Sequence, residues 1–265
     1  MKLAVVITHA DYEPWRSISA NGQIPTWVSE MSEIVFLAQG VKLPLWFRKV
    51  DSRLWGLRWR KSTGLLIVIL EICLLRMLKR FVPMARKESI TPKIEKWEFR
   101  MPDSDFLMSK KIEAVFRAVK EEEFDFLVLT TSSSYLNIRA LESELNTMPR
   151  MEFAGGRVLT QNNHTFLSGS FRVFSKDVVT RISENYKERN LRMVEDMSLG
   201  NLLHQLRIPL VEISSLNLES TNELFAMEKK VILEHSHFRV KSGELTKRND
   251  VSLMIEIHRI VKGKR

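Results

Sequence analysis

The sequence predicts an α/β sheet sandwich, and three observations predict it. Short apolar runs rich in β-formers, such as LAVVIT (Leu3 to Thr8), alternate with stretches whose apolar residues recur at helical spacing. The runs are followed by polar or glycine-bearing loops, as buried strands of α/β proteins are. A chain of 265 residues with 44% hydrophobic content has enough apolar surface to pack a large domain of this kind.

Leu3 to Thr8 reads as the first core strand. The run is shorter than the apolar region of a signal peptide, and no small-residue cleavage pattern follows it. Asn21-Gly22, within NGQIPTW, marks a turn, and Ile34 to Leu37 (IVFL) is the second strand. From Val41 to about Lys96 the composition shifts to Trp, Arg and Lys with little periodicity. Residues 41–96 are therefore expected to form an insertion or subdomain within a single domain of residues 1–265. Inside it, Leu65 to Leu78 contains Glu71 and Arg76 and is shorter than the roughly 20 residues of a spanning helix. It is either a buried helix with solvated basic ends or a helix lying on an anionic membrane surface.

Ser104 is placed to cap a helix with Ile112, Val115, Phe116 and Val119 on its apolar side and Lys110, Lys111, Arg117 and Glu121 to Glu123 in solvated positions. That helix leads into FDFLVLTTSSSYLN (residues 124–137), an apolar strand that ends in five hydroxyl side chains, Thr130 to Ser134. A helix through Leu136, Ile138, Leu141 and Leu145 follows. FAGGRV (Phe153 to Val158) and TFLSGSFRVFS (Thr165 to Ser175) read as strands interrupted by glycines. Ser175 or Asp177 caps the next helix, and Glu195-Asp196 opens another. The tail holds VILEHSHFRVKSGE and an amphipathic helix with Val251, Met254, Ile255, Ile257 and Ile260.

Net charge +9 points to an anionic partner: nucleic acid, an acidic membrane surface, or a phosphorylated small molecule. The basic residues are spread along the chain without a stacking pattern, which disfavours nucleic acid. A single cysteine, Cys73, excludes an intramolecular disulfide and any multi-thiolate metal site and favours a reducing compartment.

Four islands are candidates for chemistry. Thr130 to Ser134 lie at a strand end, where open α/β sheets place ligands, or form an ordinary polar loop. Gly155, Gly156 and Gly169 let backbone approach a ligand, or simply turn. Glu195 and Asp196 either favour a helix N-terminus or supply a carboxylate that accepts a proton. On a strand, His235, His237, Arg239 and Lys241 share one face, a poor core but a good anion site, or else a solvated edge.

In order and spacing these islands resemble the β-1,3-galactosyltransferase and Fringe-like glycosyltransferases. FDFLVLTTSSSYLNIRALESEL resembles their strand that ends in a lysine-threonine pair and three aspartates. FAGGRV is similar to their Tyr-Ala-Gly-Gly strand, FLSGSFRVFSKDVVTRI to their Gly-x-x-Tyr-x-x-Ser segment, and VEDMSLGNLLHQLRI to their Glu-Asp-Val-x-x-Gly motif. The likeness is good over about residues 104 to 213.

The resemblance implies a GT-A fold, a nucleotide-sugar-binding sandwich with a mostly parallel central sheet. It implies inverting transfer of a sugar from a nucleotide diphosphate, most simply UDP, to a hydroxyl of a glycan or lipid-linked glycan. By motif, Asp196 is the general base with Glu195 beside it. Thr131, Ser132, Ser133 and Ser134 then line the ribose or diphosphate pocket, and Gly155, Gly156 and Gly169 admit the donor sugar.

The family's metal-binding aspartates are serines here, and neutral hydroxyls are weak ligands for hard divalent cations. No tightly bound metal is expected, any Mn²⁺ or Mg²⁺ being held weakly with His237 as first ligand. His237, Arg239 and Lys241 are expected to neutralise the leaving diphosphate. The alternative is an inactive member that binds a nucleotide or glycan. With neither a membrane anchor nor several cysteines in the sequence, a cytoplasmic protein of polysaccharide assembly is expected, peripheral at the inner face of the membrane if the segment from Leu65 binds there.

Overall fold

In the computed structural model, the structure describes residues 1–41, 86–103, 107–190, 193–241 and 248–263, together with Ile69 and Cys73. An eight-stranded sheet forms the centre, in the order β3-β4-β2-β1-β5-β8-β7-β9. The strands are β1 (Leu3–Thr8), β2 (Val35–Val41), β3 (Arg86–Thr91), β4 (Ile94–Pro102), β5 (Phe126–Thr131), β7 (Ala154–Gln161), β8 (His164–Ser175) and β9 (Leu210–Glu212). Four neighbouring pairs are parallel (β4/β2, β2/β1, β1/β5 and β7/β9) and β3/β4, β5/β8 and β8/β7 are antiparallel. The expected α/β architecture with a mostly parallel central sheet is observed. A small second sheet joins β10 (Ser215–Leu218), β11 (His237–Val240) and β6 (Ser134–Leu136).

The centre of the sheet is buried on both faces, which is why LAVVIT reads as a continuous apolar run instead of an alternating one. Leu3, Val5 and Ile7 face a core shared with Trp27, Tyr135, Phe238 and the last helix, α8 (Asp250–Val261). Ala4 and Val6 face the opposite core. There Ile112, Val115, Phe116 and Val119 of α2 (Met108–Val119) pack beside α4 (Lys176–Asn185) and α5 (Glu195–Gln205). The remaining helices are α1 (Trp15–Ile18), α3 (Ile138–Leu145), α6 (Thr221–Ala226) and α7 (Lys229–Glu234).

Two expectations change. Arg86–Thr91 and Ile94–Pro102 belong to the central sheet, so the segment set apart at 41–96 contributes sheet strands from residue 86 onward. Lys110 and Lys111 are buried, because α2 lies between the sheet and neighbouring elements; Lys110 pairs with Glu113 at 2.7 Å and Lys111 with Asp103 at 2.6 Å. FAGGRV and TFLSGSFRVFS form one hairpin, turned by Asn162 and Asn163 at φ 50 and 61, where asparagine tolerates left-handed backbone. The Leu65 to Leu78 segment, apart from Ile69 and Cys73, and the Ser104 cap lie outside the described residues. Among those described, no helix is long and apolar enough to cross a membrane.

Candidate functional site

Strand order reverses between β1 and β5: β2 and β4 extend the sheet on one side of β1, and β5 and β8 on the other. Loops leaving the carboxyl ends of two such strands must diverge, and they leave a crevice. A crevice of about 590 Å³ lies there, a volume suited to a small-molecule ligand. Thr8, His9, Tyr12 and Trp15 enter from the end of β1, Thr131, Ser132 and Ser133 from β5, and Ser168 to Ser170 and Arg172 from β8. Glu195 and Asp196 of α5, Asp103 and Lys111 near α2, and Arg239, Lys241 and Arg248 complete the wall.

The hydroxyl run divides by direction. Ser132 Oγ meets His9 Nδ1 at 3.4 Å, and Ser133 Oγ accepts from Arg248 Nη2 at 2.8 Å. Ser134 instead faces inward, its Oγ donating to the Ser170 carbonyl and meeting His237 Nε2 at 3.0 Å. Gln23 donates to the carbonyls of Thr131 and Ser134, each at 3.0 Å, and Trp27 Nε1 donates to Ser134 O at 3.1 Å. NGQIPTW therefore grips the main chain of the loop.

The acidic pair is held from β8. Arg172, fully buried, donates Nη1 to Glu195 Oε1 at 3.0 Å and Nη2 to Glu195 Oε2 at 2.6 Å, and Nη2 also reaches Asp196 Oδ1 at 2.7 Å. Burial pulls the guanidinium pKa down, but Glu195 and Asp196 together hold it above its usual value. Burial likewise raises Glu195, against the pull of Arg172. Asp196 differs from its neighbour in access: its side chain is 36% exposed. The Gly169 N–H donates to its Oδ2 at 2.9 Å. A Cβ at Gly169 would lie 2.7 Å from Oδ1 and 3.0 Å from Oδ2, so only glycine leaves room for this seat. Both carboxylates stand in the first turn of α5, where the helix dipole favours negative charge.

The cationic strand is shorter than its sequence suggests. β11 spans His237–Val240, and His235 lies before it with Nδ1 bonded to the Val231 carbonyl. His237 is wholly buried, stacked on Phe171 with ring centroids 4.5 Å apart, and bonded to Ser215 at 2.7 Å as well as to Ser134. Burial first, then Arg239 and Arg157, push it down to about 3, so it is a neutral packing group and does not face the crevice. Arg239 and Lys241 do face it, and among the described residues neither has a carboxylate at salt-bridge distance.

Of the residues expected at the site, the structure brings Thr131, Ser132, Ser133, Gly169, Glu195, Asp196, Arg239 and Lys241 together. It places Ser134, His237, Gly155 and Gly156 elsewhere. A Cβ on Gly155 would meet Phe153 and Ile213, and Gly156, at φ 149, lies against the Phe171 carbonyl beside a bulge in β7, so both glycines serve strand packing.

Arg172, His9, Lys111, Asp103 and Arg248 were not anticipated at the site. Arg172 had a signal, a lone arginine between Phe171 and Val173 in an apolar strand, where a charge must be paired. His9 is 5% exposed and pushed down to about 4, first by burial and then by Lys111, whose Nζ donates to the His9 carbonyl at 2.5 Å.

The aspartate-rich loop of the family that the sequence resembles would hold a divalent ion, and the residues present do not fit one. Ser133 Oγ is taken by a guanidinium, Ser134 faces the core, and both oxygens of Asp196 are held by N–H donors from Arg172 and Gly169. Asp103 has Oδ1 on Lys111, and its buried Oδ2, without a partner among the described residues, is a single carboxylate oxygen outside the serine loop. Among the described residues, no group of three or more His, Cys, Asp or Glu side chains stands together.

No known family profile and no curated protein matches the chain. Similar solved structures include the galactosyltransferase LgtC in complex with donor and acceptor sugar analogs, at 8% identity and TM-score 0.47, covering 98% of this chain and 95% of that one. Another is 4-diphosphocytidyl-2C-methyl-D-erythritol synthase from Anaerococcus prevotii, at 10% identity and TM-score 0.38, covering 80% and 86%. A third is mouse xyloside xylosyltransferase 1 in its apo form, at 10% identity and TM-score 0.38, covering 90% and 97%.

Proposed function

We propose that the chain is an inverting glycosyltransferase of GT-A type that takes a sugar from a nucleotide diphosphate, most simply a UDP-sugar, and passes it to a hydroxyl of a glycan or lipid-linked glycan. One observation carries the reading: a half-buried carboxylate held on both oxygens, Asp196, shares a switch-point crevice with Arg239 and Lys241, two cations that have no carboxylate at salt-bridge distance among the described residues. A displacement at a sugar carbon needs both, a proton acceptor on the entering side and positive charge for the departing diphosphate.

In this reading the acceptor oxygen attacks the anomeric carbon as the bond from that carbon to the phosphate oxygen breaks. The acceptor proton passes to Asp196, and the diphosphate leaves toward Arg239 and Lys241. Arg172 and the Gly169 N–H fix the carboxylate in place, and Glu195 balances the charge of Arg172. Ser132 and Ser133 offer hydroxyls to the ribose or diphosphate. Charge neutralisation falls to fixed side chains, because the donor set at the loop does not suit a divalent ion.

Replacing Asp196 by Asn tests the reading. Asn keeps the shape and one acceptor oxygen but has no basicity, so transfer should fall by about 10²-fold or more while calorimetric UDP binding persists. An N–H donor bonds each Asp196 oxygen, which also suits a binding protein without turnover. Absence of transfer in wild type and D196N alike, with UDP still bound, would select that second reading.

A further inference from the structure

Arg248 is the least expected group in the crevice wall. It follows β11, its side chain is 4% exposed, and it lies over the Trp15 ring at 4.6 Å from the centroid. Its Nε donates to Asp250 Oδ2 at 3.0 Å, and Nη2 reaches the same oxygen, the Val240 carbonyl and Ser133 Oγ. Three sides of the guanidinium are thus fixed by a fully buried carboxylate, an aromatic face and the loop at the end of β5. The fourth side is different: Nη1, with two N–H groups, has no partner among the described residues and is not among their sealed, unpartnered atoms.

Charge around it is lopsided. Arg239 sits close enough to Arg248 and to Arg157 to feel both: burial lowers its pKa most, Asp196 opposes this, and the two guanidiniums then lower it further. Like charges crowded at the edge of a crevice are stabilised when an anion enters between them.

We propose that Arg248 is a built-in phosphate ligand, presenting its Nη1 edge to the diphosphate at the place where an aspartate-bearing loop would hold a divalent ion. The inference rests on the glycosyltransferase reading only for the identity of the sugar carrier. It assigns different work to the three cations. Asp250 cancels most of the charge of Arg248 at a distance, so Arg248 contributes aimed N–H donors, while Arg239 and Lys241 contribute net positive charge. A planar fork suits this task better than an ammonium, because two of its edges can be locked while a third stays available.

Calorimetric titration of inorganic pyrophosphate into the full chain at moderate salt, once in EDTA and once with excess Mn²⁺, tests it. Wild type should bind in EDTA without help from an ion; with excess Mn²⁺ the titrant is the Mn²⁺–pyrophosphate complex, so that arm reads only whether binding requires the metal. Arg248→Lys keeps a cation opposite Asp250, so the fold is retained, and it loses the directed edge; affinity should fall about tenfold or more, the loss of one charge-assisted hydrogen bond. A cooperative thermal transition near that of wild type confirms that this variant is folded. Arg239→Met, which strips no buried carboxylate of its partner, should weaken binding in a salt-dependent way. Wild-type binding that requires Mn²⁺, or R248K that binds like wild type, overturns the proposal. The two readings fail separately. Metal-free pyrophosphate binding lost in R248K, with no nucleotide-sugar bound, upholds the seat and sinks glycosyl transfer; transfer that needs Mn²⁺ and ignores R248K does the reverse.

Discussion

Replacing Arg172 by methionine removes the group on which the whole acidic pair depends. The guanidinium is 1% exposed and makes two hydrogen bonds to Glu195 and one to Asp196. Methionine fills much of the volume but leaves the Glu195 carboxylate, 9% exposed, without its counter-charge. Stripping one partner from a buried ion pair costs about 3 to 5 kcal/mol, most of it the penalty of the abandoned charge. Glu195 can escape part of this by taking up a proton, since burial already raises it. A carboxyl raised in the folded state contributes stability that is full below its unfolded pKa and is lost as pH rises. The deficit of the variant should therefore be largest near neutrality and shrink as pH approaches the ordinary glutamate range. Equilibrium unfolding in urea, with the slope unchanged, reads the difference directly. The double variant Arg172→Met, Glu195→Met places two apolar side chains where the pair stood and should recover much of the loss. A single variant within about 1 kcal/mol of wild type, or a double variant as unstable as the single, would refute the claim that Glu195 exists to balance Arg172.

Acid should weaken the fold through two buried imidazoles. His9 and His237 are held neutral with pKa values of about 4 and about 3. Their unfolded forms bind protons from about 6.5 downward, so stability is lost as pH falls from 6.5, by up to about 1.4 kcal/mol per pH unit for each. Urea midpoints at pH 6.5, 5.5 and 4.5 should drop less steeply in His237→Gln than in wild type. Gly200→Ala should destabilise by about 1 to 3 kcal/mol, although alanine is the better helix former. Its Cβ would stand 2.5 Å from that of Phe166 and force α5 away from β8, which a lowered melting temperature would record.

The strands legible in the sequence are those buried on both faces, because their apolar runs are continuous: Leu3 to Thr8 and the run ending at Leu129. β3, RKESIT, is exposed along its whole length and has no apolar signal to read. In β4 the buried Trp97, Phe99 and Met101 do alternate with Glu98 and Arg100, a strand pattern that the surrounding basic composition masked.

The same division runs through the site. Asp196, Ser132, Ser133, Arg239 and Lys241 are polar groups in recognisable surroundings, and they converge. His237 has the same period-2 spacing as Arg239 yet is covered, since Phe171 stacks on it and two serines satisfy its nitrogens. Spacing reveals which way a side chain points along a strand, not what lies above it. Lys111, Asp103 and Arg248 reach the crevice through contacts with distant segments, and no local pattern encodes those.

The grip of Gln23 and Trp27 on the loop after β5 separates the path of that loop from its chemistry. Each holds carbonyl oxygens, which every residue type possesses, so the curve of the chain there is indifferent to most of the side chains it displays. Carboxylates and hydroxyls can then be exchanged at Ser132 and Ser133 without rebuilding the support beneath them. A loop anchored in this manner is an interchangeable mount. Redesigning it toward a metal would ask for two aspartates and the removal of one arginine, and would leave the sheet and its switch point as they are.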